Sequence, residues 1–188
     1  MAVISLKNKT KSGSLLVGNS YYIPPSFESI ATFTGNGTAS SYTFSSIPST
    51  YKSLQLRINV LGSDGDSIQI QFNSDTATNY VYHYLAGTGS AAAASNGTSL
   101  SWIPISDASY QGINPTYPTG IIVDIIDYAS TTKNKTTKTF NGIDKNGSGV
   151  ITLQSGLWLS TSAITSIKVY GFSNLNSGST IALYGIKG

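Results

Sequence analysis

The side chains that do chemistry are scarce in this chain: one histidine, His83, no cysteine, and the carboxylates Glu28, Asp64, Asp66, Asp75, Asp107, Asp124, Asp127 and Asp144. A nucleophilic triad would have to be built on His83. Its neighbours Tyr82 and Tyr84 instead mark an aromatic strand in which the histidine is one packed or surface position. Zinc needs three or four N or S ligands, more than one histidine without cysteine can offer. A glycosidase needs two carboxylates flanking a cleft. Asp124 and Asp127 lie three apart on an expected strand, so they project to opposite faces.

Two acidic turns remain. Asp64-Gly65-Asp66 offers oxygen ligands for calcium, but reads more simply as a hairpin turn carrying solubilising acids. Asp144-Lys-Asn-Gly-Ser148 opens like a calcium loop without the closing Glu or the flanking helices. The tyrosines with Trp102 and Trp158 could stack on sugar rings, though a core or a subunit interface is the simpler use for them. No catalytic residue, metal or cofactor is expected, and the chain reads as a binding protein rather than an enzyme.

The elements that would carry these residues are strands. Ser41 to Ser45 and Leu54-Gln-Leu-Arg-Ile-Asn-Val60 alternate, placing Leu54, Leu56, Ile58 and Val60 on one face. With Asp64-Gly65 as its turn, Ile68 to Phe72 would complete a hairpin. Tyr80 to Leu85 is a further strand, Ser90 to Thr98 a small-residue loop, and Leu100 to Ile105 a strand again. Ile121 to Ile126 is almost continuously apolar, as in a central strand with both faces covered. Thr131 to Thr139 alternates Lys with Thr and Asn, as in an exposed edge strand protected by charge. Val150 to Leu153, Gly156 to Leu159, Ile164 to Tyr170 and Thr180 to Ile186 follow. The sum is an all-β, jelly-roll-like β-sandwich of about eight to ten strands.

Composition agrees. Only 10% of residues are charged, and Gly, Ser, Thr and Asn supply the polarity, which suits a sheet protein with many turns. A net charge of +3 leaves no nucleic-acid footprint. There is no apolar run of about 18 residues to span a membrane, and the start lacks the pattern of a signal peptide. The Asn-X-Ser/Thr sequons at Asn8, Asn36, Asn96, Asn134 and Asn146 then read as by-products of turns.

Residues 1–25 read as an extended anchoring arm, and 26–188 as the sandwich. Lys7, Lys9 and Lys11 occur with no acid before Glu28, and Pro24-Pro25 forces extended backbone and closes the segment. Leu6, Lys7, Lys9, Lys11, Leu15, Leu16, Val17 and Ile23 are the expected partner-binding positions, apolar residues for burial and lysines for attraction to an acidic surface. The bland alternative is an ordinary first strand.

Val3-Ile-Ser-Leu-Lys-Asn-Lys-Thr-Lys-Ser-Gly-Ser-Leu-Leu-Val-Gly18 and Phe27-Glu-Ser-Ile-Ala31 resemble structural proteins of tailed bacteriophages, especially those of cyanobacteria and other marine bacteria. Phe44-Ser-Ser-Ile-Pro-Ser-Thr-Tyr51, Leu54-Gln-Leu-Arg57, Phe72-Asn-Ser-Asp75 and Asn79-Tyr80 continue the likeness. So do Ile125-Ile-Asp-Tyr128, Ser155-Gly-Leu-Trp158, Ala163 to Ile167 and Gly178 to Ile186. The resemblance spans almost the whole chain and consists of turn and strand signatures, so it carries no catalytic residue with it. It implies a virion component made in the bacterial host cytoplasm, a decoration or cement protein on the capsid surface. Its partners would be the major capsid protein and itself, as a homotrimer, with neither nucleic acid nor membrane. The alternative is a neck or tail-fibre module that binds host-surface glycan.

Overall fold

A computed structural model of the chain describes residues 15–17, 20–22, 27–106 and 112–187. Its architecture is all-β, a sandwich of two antiparallel sheets with an additional short hairpin. The hairpin pairs β1 (Leu15–Val17) with β2 (Ser20–Tyr22), and the pair forms a two-stranded sheet of its own.

The large sheet has eight strands, in the order β3 (Phe27–Thr34), β14 (Thr180–Ile186), β5 (Ser53–Val60), β10 (Thr119–Ile126), β11 (Lys135–Asp144), β12 (Gly149–Trp158), β7 (Tyr80–Gly87) and β8 (Ala92–Leu100). The small sheet has four: β4 (Ser41–Phe44), β13 (Ile167–Gly171), β6 (Ile68–Phe72) and β9 (Ile103–Pro104). This eight-plus-four division is more unequal than the paired Greek keys of a jelly roll.

The alternation read in β5 buries Leu54, Leu56, Ile58 and Val60. Ile121, Val123 and Ile125 of β10 join them. Across the sandwich they form one core with Phe44, Ile68, Ile70, Phe72, Ile167 and Val169 of the small sheet. Burial of such a side chain contributes roughly 1.5–3 kcal/mol, which makes this layer the main source of stability.

Five expectations need correction. β5 and β6 are not a hairpin: β5 pairs with β10 and β14, and β6 with β13 and β9. Each strand has one apolar face, and the loop from 61 to 67 is long enough to carry the chain across the core, so the two face each other instead of pairing. Asp66 is no solubilising acid either. Its buried carboxylate accepts the backbone N–H groups of Ser67 (2.7 Å), Phe172 (3.2 Å) and Ser173 (2.7 Å), tying the crossover to the end of β13.

The Ser90–Thr98 stretch is not a loop, because most of it is β8, an uncharged edge strand. The Lys/Thr-rich segment is not an edge, because β11 lies between β10 and β12 with Lys135 and Thr137 at 0% exposure. Alternation in that segment is genuine; the polar residues simply point inward. The two segments read near Val150 and Leu159 are one continuous strand, β12. It follows β11 through a tight turn in which Asn146 (φ 58°) and Gly147 (φ 109°) take the left-handed backbone that a two-residue hairpin needs.

Candidate functional site

The inner face of β11 and β12 carries Lys135, Thr137, Thr139, Asn141, Thr152 and Gln154, all buried. Part of this polarity has a clear use. β9 is a two-residue edge strand whose carbonyls would otherwise go unpaired inside the protein. Asn141 Nδ2 donates to the Ile105 carbonyl at 2.8 Å, and Gln154 Nε2 donates to that of Pro104. Gly156 is required at the same seam, since a Cβ there would lie 2.8 Å from the Ile103 side chain. Lys135 reaches the carbonyl oxygens of Lys133 and Ser160 with its ammonium, and burial lowers its pKa from the ordinary lysine value. The hydroxyls of Thr137 and Thr139 are buried without a partner.

Period-two alternation puts the other set of residues outward, and on these strands that set includes large apolar side chains. Leu153 (57% exposed), Leu85 (54%), Ile151 (52%), Phe140 (46%) and Ile122 (43%) all lie on the outer face of the large sheet. Strand register lines four of them up. Ile122 of β10 sits opposite Phe140 of β11, Phe140 opposite Leu153 of β12, and Leu153 opposite Leu85 of β7. They form one unbroken apolar row across four adjacent strands.

One row along, the same four strands present Asp124, Lys138, Ser155 and His83. On the other side of the apolar row they present Gly120, Gly142, Ile151 and Gly87. A hollow of about 460 Å³ lies between the polar and apolar rows, and another of about 560 Å³ lies over Gly120 and Gly142, walled by Phe140, Arg57 and Tyr184. Beyond β10 the outer surface of β5 is polar, and its groups satisfy one another. Gln55 Nε2 donates to Asp124 Oδ1 (2.7 Å), and Arg57 Nε donates to Gln55 Oε1 (2.8 Å). The Arg57 guanidinium also lies 4.5 Å from the ring centre of Phe27 and 5.0 Å from that of Tyr184.

Asp107 lies outside the described residues, and among the described residues those with catalytic potential are spread apart. His83 and Asp124 share a face but stand three strand spacings, about 14 Å, from each other. Asp75 is a structural anchor: it accepts from Trp158 Nε1 (2.7 Å), Asn79 Nδ2 (2.9 Å) and the Ala77 N–H (2.9 Å), and these bonds, Asn79's foremost, lower its pKa against the opposing effect of burial. Burial pushes the Tyr80 phenol up to about 12, so it stays neutral while accepting the Phe72 N–H at 3.0 Å. Asp64 pairs with Lys145 and accepts from Asn114, and Asp127 pairs with Lys133. Trp158 packs in the core against Phe72 and Tyr80 and offers no open ring face, whereas half-buried Trp102 meets Phe172 edge-on. Among the described residues, no three His, Asp or Glu side chains gather where they could hold a metal ion.

Of the expected partner-binding positions, Leu15, Leu16 and Val17 form β1 of the short hairpin. Leu6, Lys7, Lys9, Lys11 and Ile23 lie outside the described residues. The outer apolar row was not anticipated. Its signal was present in the sequence, in Phe140 among the Lys/Thr positions and in Ile151 and Leu153 alternating with Thr152 and Gln154. Reading it required knowing which set of the alternation faces the second sheet. No family model, no curated protein and no solved structure matches this chain.

Proposed function

We propose that this chain is a non-enzymatic structural protein that works through protein–protein contacts, and that it decorates and cements a phage capsid. The observation that supports contact as its work is the outer row of Ile122, Phe140, Leu153 and Leu85. Four large apolar side chains in register on an open sheet face do nothing for the core, while an interface gains from covering them. Dispersed carboxylates and a solitary histidine support a non-catalytic reading. The sequence resemblance supplies the setting, the capsid surface, with the N-terminal arm through residue 25 as the anchor on the major capsid protein and the sandwich as the body that ties neighbours together.

Mass spectrometry of purified particles of the phage that encodes the chain tests the setting. Hundreds of copies per particle are expected for a capsid decoration protein. A handful would shift the reading to a neck or fibre component, and complete absence from particles would end the virion reading. Deleting residues 1–20 is expected to leave the sandwich folded and to abolish its incorporation. Full occupancy by the truncated chain would remove the arm as the anchor.

A further inference from the structure

Resting on the reading of the outer face as a contact surface, we infer that its occupant is a second copy of this chain, docked face to face about a two-fold axis that runs along the strands between β11 and β12. The pattern of side chains is what selects this partner. Such an axis exchanges β11 with β12 and β10 with β7, so every cross-strand row meets itself in reverse.

In the apolar row, Phe140 meets Leu153 of the second copy, and Ile122 meets its Leu85, each pair twice over. In the row beside it, Ile151 comes down over Gly142 of the second copy, so a half-exposed side chain enters a hollow that has no side chain to fill it. The outermost Gly120 of that row meets Gly87, which lets the two backbones approach. In the polar row, Asp124 meets His83 of the second copy, and Lys138 meets Ser155. The row beyond places Ile126 against Val81. Apolar faces apolar, knob faces hollow, and carboxylate faces imidazole. No like charges are opposed. A register displaced by one strand, with the axis between β10 and β11, loses this match, because it sets Arg57 against Leu153.

The size of the patch is sufficient. Four strands by four rows span about 19 Å by about 27 Å, or about 500 Å² per copy in projection. Two copies therefore cover about 1,000 Å² before the relief of the side chains is counted, the range at which specific interfaces begin. The self-complementary arrangement, in which residue i meets j and j meets i, is what a two-fold contact demands.

Sedimentation of the full purified chain at about 10–50 µM tests this. A dimer is expected. Phe140→Asp puts an unpaired carboxylate into the apolar row of each copy and is expected to raise the dissociation constant by at least ~100-fold with the melting temperature of the monomer retained. Should Phe140→Asp fail to fold, the Asp124–His83 pair on the polar row provides a second test. Asp124→Lys and His83→Asp are each expected to weaken the homodimer, and mixing the two variants is expected to restore a heterodimer, because one lysine then faces one aspartate across the axis. A chain that stays monomeric at 50 µM overturns the inference. So does a closed trimer, or a dimer indifferent to Phe140→Asp and to the charge exchange. The readout uses purified protein alone, so its failure is separate from absence of the chain from virions.

Discussion

Across β14, β5 and β10 the large sheet turns Leu, Ile and Val inward, and β5 keeps Gln55, Arg57 and Asn59 outside; across β11 and β12 it turns Lys, Thr, Asn and Gln inward and leaves Phe140, Ile151 and Leu153 outside. Both regions obey the same period-two geometry, and both are continuous parts of one sheet. What differs is the neighbour. The first region lies under the apolar faces of β6 and β13. At the second, the small sheet ends in β9, where the buried carbonyls of Pro104 and of Ile105 just beyond it take amide donors, and the outer face takes the apolar set. A β-strand has two faces and no rule that the apolar one must point into its own domain; the identity of whatever covers each face decides.

The largest effect that tests this contrast comes from equal truncations in the two regions. Leu56→Ala, at a core position with no exposure, is expected to cost about 2–5 kcal/mol in urea unfolding. Leu153→Ala, on the outer row, is expected to change the stability of the dilute monomer by less than about 1 kcal/mol. Equal losses would show that Leu153 is covered within the single chain and would remove the contrast.

How much of this the sequence revealed follows from the same point. The strands in the first region were legible because β5 and β10 carry their apolar residues where a core needs them, so Leu54 to Val60 and Ile121 to Ile126 could be placed at once. Ile122 and Ile126 were read as covered, yet both are more than a third exposed, since apolar character alone does not say what does the covering. The Thr131–Thr139 segment reads locally as an exposed edge strand, whereas in β11 Lys135, Thr137 and Thr139 point inward. The Ile105 carbonyl to which Asn141 donates is 36 residues away in sequence, and no local pattern encodes it. β8 escapes a local reading because Ala92 to Gly97 has neither β-branched nor aromatic residues; pairing with β7 makes it a strand. The arm lies largely outside the described residues, and the residues that best fit a binding face came from the sheet instead.

Next in size are substitutions within the polar inner layer, where two classes of buried group must behave in opposite ways. Asn141→Leu leaves the Ile105 carbonyl without its donor and is expected to cost about 1–3 kcal/mol. Thr139→Val removes a buried hydroxyl that bonds to nothing and is expected to be neutral, or to stabilise by about 1 kcal/mol. Thermal melts of the two variants beside the parent chain check this. If Thr139→Val proves as harmful as Asn141→Leu, the hydroxyl has a partner after all, and the inner layer is a connected network rather than a set of separate anchors.

The smallest effect lies where the two sheets are pinned together by Asp75, which leaves the end of β6 and accepts the indole N–H of Trp158 at the end of β12. Its hydrogen bonds hold the folded carboxyl below its ordinary pKa, Asn79 contributing most and Trp158 and Ala77 adding to it. A carboxylate with a depressed folded pKa contributes stability that is present above its unfolded value, about 3.9, and is lost as pH falls through the folded value. Asp75→Asn keeps an oxygen acceptor but removes the charge, so it is expected to lower the melting temperature by a few degrees at pH 7. Between pH 5 and pH 2, roughly, the difference between parent and variant should shrink as the parent's own carboxyl protonates. A difference that stays constant over this range would mean that the charge is immaterial and that the indole bond alone fastens β12 to the loop after β6.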